Sequence, residues 1–150
     1  MIKLYLDNCC YNRPYDDQEN FNVALETQCK IQIQDRIRAG KYSLVSSFIL
    51  TYESDSSPYE SRKASINQFI TEFTKQYVGI EHRDYIEAEA YKIMQTGIKF
   101  KDACHVVCAI LAKCDYFIST DKRLLKYQSS QIRLVNPIQF IIETEENENV

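Results

Sequence analysis

The sequence predicts an α/β protein with a mainly parallel sheet and right-handed crossovers. Three observations carry that prediction. Short apolar runs alternate with longer stretches of helical period, in the order strand, helix, strand, helices, strand, helix, strand. The first run, Ile2-Lys3-Leu4-Tyr5-Leu6, is apolar on both faces, as a strand covered by helices on both sides must be. Several runs also end on an acidic or hydroxyl residue, at the rim where parallel sheets hold ligands.

Asp7 closes the first run, and Asn8-Cys9-Cys10-Tyr11-Asn12-Arg13-Pro14 reads as a polar, turn-rich loop. Gln18 to Ala39 reads as a long helix with an apolar stripe of Phe21, Leu25, Cys29, Ile33 and Ile37, closed by Gly40 at C′. Tyr42 to Val45 is a compact second strand. Ser46 and Ser47 can cap a short helix, Phe48 to Glu53, which ends in Ser54-Asp55-Ser56-Ser57-Pro58.

Ser61 to Tyr77 is predicted as a third helix on Ile66, Phe69, Ile70, Phe73 and Tyr77. Val78-Gly79-Ile80 is a break with room for a very short strand. Asp84 is expected to cap a helix from Tyr85 to Gln95, with Glu87 completing a capping-box pair and Gly97 ending it. Asp102 to Lys113 is a further helix. Tyr116 to Ile118 is a strand running into Ser119-Thr120-Asp121, followed by a short helix, Lys122 to Lys126. Ile132 to Val135 is the last strand, with Asn136-Pro137 as its exit. The expected organisation is one domain over 1–142 and a frayed acidic tail over 143–150.

The composition narrows the function. With 150 residues, 45% hydrophobic and 26% charged, the chain reads as an ordinary soluble domain. No apolar run approaches the ~18 residues that span a bilayer. No basic, then apolar, leader opens the chain, so a cytoplasmic protein without a membrane partner is expected. The six cysteines then read as reduced, small apolar side chains. A net charge of −3 argues against a broadly basic nucleic-acid coat but leaves room for a local basic patch.

Four carboxylates occupy similar places. Asp7 follows the first strand, Glu53 lies on the helix after the second, Asp102 opens an apolar helix, and Asp121 follows the strand Tyr116 to Ile118. The ends of adjacent central strands lie side by side, so these four can meet at one rim. Together they would repel one another, a cost that a hard divalent cation such as Mg²⁺ or Mn²⁺ removes. The implied chemistry is metal-assisted phosphodiester hydrolysis. Singly, each is better explained as a turn or cap residue, because 21 acidic residues place several at element ends by chance. Only the joint placement points to a site.

Five segments in order resemble the PIN-domain nucleases, which include VapC-type toxins. They are Leu4-Tyr5-Leu6-Asp7, Ser46-Ser47 through Thr51-Tyr52-Glu53, Gly97 through Asp102-Ala103-Cys104-His105, Asp115 through Ser119-Thr120-Asp121-Lys122-Arg123, and Ile132 through Asn136-Pro137. The resemblance implies a three-layer α/β/α sandwich and a Mg²⁺- or Mn²⁺-dependent endoribonuclease, with the toxin of a toxin–antitoxin pair as one version of that role. It implies Asp7, Glu53, Asp102 and Asp121 as the catalytic set, with Asp7, Asp102 and Asp121 as metal ligands and Glu53 acting more through water. It allows RNA as substrate, and an antitoxin protein or a second copy of the chain as partner. Asn8 stands where many relatives carry Ser or Thr, and the Asn8–Asp17 segment and the helix from Ser61 depart from the compact toxins.

Asn8, Arg13, Lys101, Thr120 and Lys122 are the candidate substrate-binding residues, Thr120 also as a hydroxyl that holds the cluster. Lys101 and Lys122 adjoin Asp102 and Asp121 and are the best placed to meet a phosphate backbone. His105 lies one turn beyond Asp102 and reads as its hydrogen-bonding neighbour. Cys104 and Cys108 share a helix face but lack the second ligand pair that zinc needs. Two other readings stand beside the nuclease: a catalytically silent PIN-like module that binds RNA or protein, and a small-substrate phosphohydrolase. The last wants a second Asp two residues after Asp7, where Cys9 stands.

Overall fold

The computed structural model describes residues 1–148. Five parallel strands form one sheet in the order β3-β2-β1-β4-β5. They are β1 (Ile2–Leu6), β2 (Tyr42–Ser47), β3 (Thr74–Val78), β4 (Tyr116–Ile118) and β5 (Arg133–Val135). The helices are α1 (Asn8–Asn12), α2 (Phe21–Arg38), α3 (Phe48–Asp55), α4 (Glu60–Phe73), α5 (Arg83–Met94), α6 (Phe100–Leu111) and α7 (Pro137–Glu148).

Strand period 2 splits the core in two. Leu4, Leu6, Leu44 and Ile118 face a layer that holds Ile33 and Ile37 of α2, Phe69 of α4 and Phe140 of α7. Tyr5, Val45 and Phe117 face the other layer, with Ile86 of α5 and Val106, Val107 and Cys108 of α6. The three-layer α/β/α sandwich expected from the sequence is therefore present, with Tyr5 and Phe117 stacked 5.4 Å apart beneath α6. None of the six cysteines is disulfide-bonded, and Cys10, Cys104, Cys108 and Cys114 are buried.

Several elements differ from the sequence reading. The Asn8–Pro14 segment is helical: α1 runs straight out of β1, and a 3₁₀ turn, Arg13–Tyr15, follows it. In α2 only the C-terminal end of the strict four-residue stripe, Ile33 and Ile37, lies on the buried face. Each four-residue step overshoots a turn by about 40°, so the stripe winds off the core and leaves Phe21 81% exposed. The buried positions are Glu26, Thr27, Lys30, Ile33, Gln34 and Ile37. Glu26 and Thr27 bond to Arg13, and Lys30 sits over the Tyr11 ring, so the polar part of this face holds the Asn8–Tyr15 segment.

The predicted third helix ends at Phe73, and Thr74–Val78 is the edge strand β3. Asp84 lies in the first turn of α5 without capping it, and Glu87 accepts from Arg83 instead. The short helix after Asp121 is a 3₁₀ turn at Leu124–Lys126. Residues 143–148, expected to fray, continue α7, and Glu143 pairs with Arg133. Residues 149–150 of that expected tail lie outside the described residues.

Two helices end in the same way. At α2, Gly40 N–H donates to Ile37 and Lys41 N–H to Arg36, with Gly40 at φ +79°. At α6, Lys113 N–H donates to Ile110 and Cys114 N–H to Ala109, with Lys113 at φ +59°. Both are Schellman closures, which demand a left-handed residue at C′. Glycine supplies that conformation freely at position 40, whereas Lys113 carries a Cβ against the strain. Lys113→Gly is therefore expected to stabilise the fold by roughly 1 kcal/mol, read as a melting temperature about 2–4 °C higher. An unchanged or lower value would show that the lysine side chain compensates for its backbone.

Candidate active site

The strand order reverses at β1, which pairs with β2 on one side and β4 on the other. The carboxyl ends of β1 and β4 thus meet at the sheet's switch point, and Asp7 N–H donates to the Ile118 carbonyl there at 2.9 Å. A cleft of about 370 Å³ opens above them. It is lined by Asp7, Glu53, Asp102 and Asp121, together with Asn8, Cys9, Asn12 and Asp16. A larger depression of about 580 Å³ lies beside the start of β4 and β5, but Asp115 is its only carboxylate.

Each carboxylate is held differently. Asp7 is 6% exposed and caps α1: one oxygen accepts from Asn8 N–H at 2.8 Å, the other from the Ser119 hydroxyl at 2.9 Å and the Cys9 thiol at 3.4 Å. Asp121 closes the turn that leads into Leu124–Lys126, one oxygen accepting from Arg123 N–H at 2.9 Å and Leu124 N–H at 3.3 Å. Its own N–H donates to Ser119 Oγ at 3.1 Å, so one buried serine ties both aspartates together. Asp102 stands in the first turn of α6, whose N-cap is Lys99. It makes no hydrogen bond or ion pair with the described residues. Burial pushes its carboxyl up to about 6, and the charges of Asp7 and Asp121 push the same way.

Glu53 is the carboxylate that is neutralised. It pairs with His105 Nε2; His105 Nδ1 bonds the Tyr5 hydroxyl at 2.6 Å, and that hydroxyl bonds Ser47 Oγ at 2.7 Å. Ser47 also accepts from Leu50 N–H and so caps α3, the helix that carries Glu53. Tyr5, Ser47 and His105 are fully buried. Burial pushes the Glu53 carboxyl up, but the bond and charge of His105, the charge of Lys101 and a hydrogen bond from Asn8 outweigh it and hold it below its ordinary value. Burial lowers His105, but Glu53 and the charges of Asp7 and Asp102 raise it overall.

The proposed binding residues divide. Asn8 reaches Glu53, and Lys101 and Lys122 are exposed beside the cleft. Arg13 is committed inward, bonding Glu26 at 2.7 Å and Asp16 at 3.1 Å. Thr120 is buried and contacts Cys9 Sγ through its backbone N–H, so the hydroxyl that holds the cluster belongs to Ser119. His105 bonds Glu53 rather than Asp102. Ser119, Asn12 and Asp16 were missed by the sequence reading. Ser119 carried a signal, as the first residue of Ser-Thr-Asp at a strand exit; Asp16 lies in the segment taken for a loop.

Among the described residues, no three His, Cys, Asp or Glu side chains converge closely enough to hold an ion between them as they stand. The donor chemistry nevertheless fits a hard divalent cation. Asp7, Asp102 and Asp121 offer oxygen ligands, and the Asp102 carboxyl is raised first by burial and then by the charges of Asp7 and Asp121, a repulsion that a cation would relieve.

The fold matches that of solved structures of low sequence identity. It is similar to the VapBC2 complex of Rickettsia felis, solved bound to a DNA fragment from its promoter, with a TM-score of 0.53 and 14% identity. It is similar also to FitAcB of Neisseria gonorrhoeae, with a TM-score of 0.57 and 14% identity. Each match covers 90% of this chain and 98% of the other. No protein-family model and no curated protein matches the sequence.

The Glu53–His105 pair has a defined pH window. Glu53, depressed in the fold, contributes stability above the ordinary glutamate value and loses it as pH falls through its folded value. His105, raised in the fold, contributes fully below the ordinary histidine value and loses it as pH rises through its folded value. The pair therefore stabilises most between about pH 4.5 and 6.5. Glu53→Gln is expected to cost about 1.5 kcal/mol in that window, with the deficit narrowing on either side when melting temperatures are compared across pH. A deficit independent of pH would show that the bond carries no ionic part.

Proposed function

We propose that this chain is a Mg²⁺- or Mn²⁺-dependent endoribonuclease that hydrolyses RNA phosphodiester bonds, in the role of a toxin held by an antitoxin protein. The observation that carries the reading is the cleft itself: four carboxylates from four separate elements, gathered at the switch point of the sheet. The fold it shares with toxin–antitoxin structures supports the partner.

Asp7, Asp102 and Asp121 would hold the cation, Asp7 by sharing an oxygen that already accepts a hydrogen bond and Asp121 through the oxygen that its bonds to Arg123 and Leu124 leave free. When bound, the ion supplies Lewis acidity to the scissile phosphate and lowers the pKa of a water. Ser119 fixes Asp7 and Asp121 relative to one another. His105, Tyr5 and Ser47 hold Glu53 ionised in the same cleft, where its carboxylate can orient a water. Lys101 and Lys122 would meet the flanking phosphates.

The test is RNA cleavage with added Mn²⁺ by the wild type, Asp7→Asn and Asp102→Asn. Each variant is expected to lose at least about a hundredfold in rate, since each removes a ligand worth several kcal/mol of transition-state stabilisation. Equal activity in all three would sink the site assignment. The silent-module reading is favoured by one observation, the failure of three acidic side chains to converge. A calorimetric titration separates the two, because a silent module is expected to take up no Mn²⁺.

The same electrostatics predicts a trade between stability and charge. Asp102 is raised in the fold, so the folded state holds its proton more tightly than the unfolded chain does. Stability from this group is present at low pH and is lost as pH rises from the ordinary aspartate range through about 6. At neutral pH and without metal, Asp102→Asn is therefore expected to melt a few degrees above the wild type, and Mg²⁺ to raise the melting point of the wild type more than that of the variant. A lower melting point for metal-free Asp102→Asn would remove the claim of uncompensated charge.

A further inference from the structure

The acidic cleft repels a polyanion, so a strand can be held there only by cations that the protein has not already neutralised. Five of the seven arginines fail that condition, and Arg123, beside Asp121, and Arg62 meet it. Arg13, Arg36, Arg38, Arg83 and Arg133 each pair with a carboxylate. Arg62, near the start of α4, makes no hydrogen bond or ion pair with the described residues. It lies instead against two tyrosine rings, its Cζ 4.5 Å from the centre of Tyr15 and 4.2 Å from that of Tyr59. Its Nε is buried and has no partner. Tyr15 is 44% and Tyr59 57% exposed, so the stack has one side on solvent.

Its position joins it to the site. Tyr15 ends the 3₁₀ turn that leads directly into Asp16, a residue of the cleft wall. Tyr59 immediately precedes α4, a short connection after the helix that carries Glu53. The stack is thus a basic and aromatic feature that adjoins the cleft wall in the chain through Tyr15 and Asp16.

We propose that Arg62, Tyr15 and Tyr59 form a strand-holding subsite that takes one phosphate and a neighbouring base of single-stranded RNA; the proposal rests on the ribonuclease reading above. The chemistry fits each part. A guanidinium presents a planar fork that meets a phosphate with two hydrogen bonds, and stacking on aromatic rings pre-orients that fork at little cost in side-chain freedom. Exposed tyrosine rings offer a face to any unpaired base. A base in a duplex cannot reach them, which sets the preference for a single strand. Arg13, which the sequence suggested for this work, is spent on Glu26 and Asp16.

The test measures capture apart from cleavage. In an Asp102→Asn chain with magnesium, binding of a labelled oligouridylate and of a matching duplex is followed by fluorescence anisotropy over a range of salt. The single strand is expected to bind more tightly than the duplex. Adding Arg62→Ala should weaken binding about fivefold or more and lower the log–log salt slope by about 0.7, one phosphate contact to a single strand. Tyr59→Ala should weaken binding by about fivefold with the slope unchanged. Arg62→Lys, which keeps the charge and loses the plane, should keep the slope and lose affinity, and it carries the test if Arg62→Ala does not fold. Unchanged affinity in the Arg62 variants, no preference for the single strand, or no RNA binding by the parent would each overturn the subsite. RNA cleavage by the wild type together with unaffected binding in Arg62→Ala overturns the subsite alone. Impaired binding in Arg62→Ala with no cleavage by the wild type overturns the nuclease and leaves the subsite standing.

Discussion

The pairing of β1 with both β2 and β4 is the constraint on which the rest depends. The last three residues of β1, Leu4, Tyr5 and Leu6, are fully buried between the two neighbouring strands, and the first carboxylate appears at the exit, at Asp7. The hydrogen bond from Asp7 N–H to Ile118 fixes that exit against β4, and Ser119, the next residue of that strand's path, reaches back to the Asp7 carboxylate. One backbone bond and one hydroxyl therefore set the spacing of Asp7 and Asp121 before any ligand is considered. Glu53 and Asp102 arrive on helices that start from the same rim, α3 after β2 and α6 on the Tyr5 face of the sheet.

The bland and the functional readings of these acids turn out to be compatible. Asp7 and Asp121 are helix and turn caps, as an aspartate after a strand usually is. A carboxylate has two oxygens and more than two lone pairs, so a cap leaves part of its acceptor capacity directed elsewhere. The caps make the aspartates rigid, and rigidity is what a ligand set needs.

Much of this was legible in the chain, and the exceptions have physical causes. The runs that became β1, β2 and β4 are short, flanked by polar residues and largely buried, so a continuous apolar stretch marks them, and β5, an edge strand with Arg133 exposed, is marked by Leu134, Val135 and its Asn136-Pro137 exit. β3 escaped because Thr74 to Tyr77 is an edge segment with exposed side chains, and Tyr77 continues the spacing of Phe69 and Phe73. The Asn8–Tyr15 segment was opaque for a different reason. Its helical form depends on the Asp7 cap and on Arg13, Glu26, Thr27 and Lys30, contacts between segments that no local window contains. The four carboxylates were legible as positions, whereas their partners were not. That His105 serves Glu53 and not Asp102 is decided by where α3 packs on α6, a tertiary fact.

That division of partners gives the site its electrical character. The protein neutralises Glu53 with a buried imidazole on α6 and leaves Asp102, in the same cleft, without a hydrogen bond or ion pair among the described residues. Were both paired, the cleft would be satisfied and would have no affinity to offer a cation. Were neither paired, four like charges would share one cleft, and the carboxyl shift seen at Asp102 would spread to its neighbours. Tying one wall down through Tyr5, His105 and Ser47 confines the unfavourable charge to the Asp7, Asp102 and Asp121 side. Relief of the repulsion that Asp7 and Asp121 exert on Asp102 would be one part of the free energy that a bound cation gains at that rim.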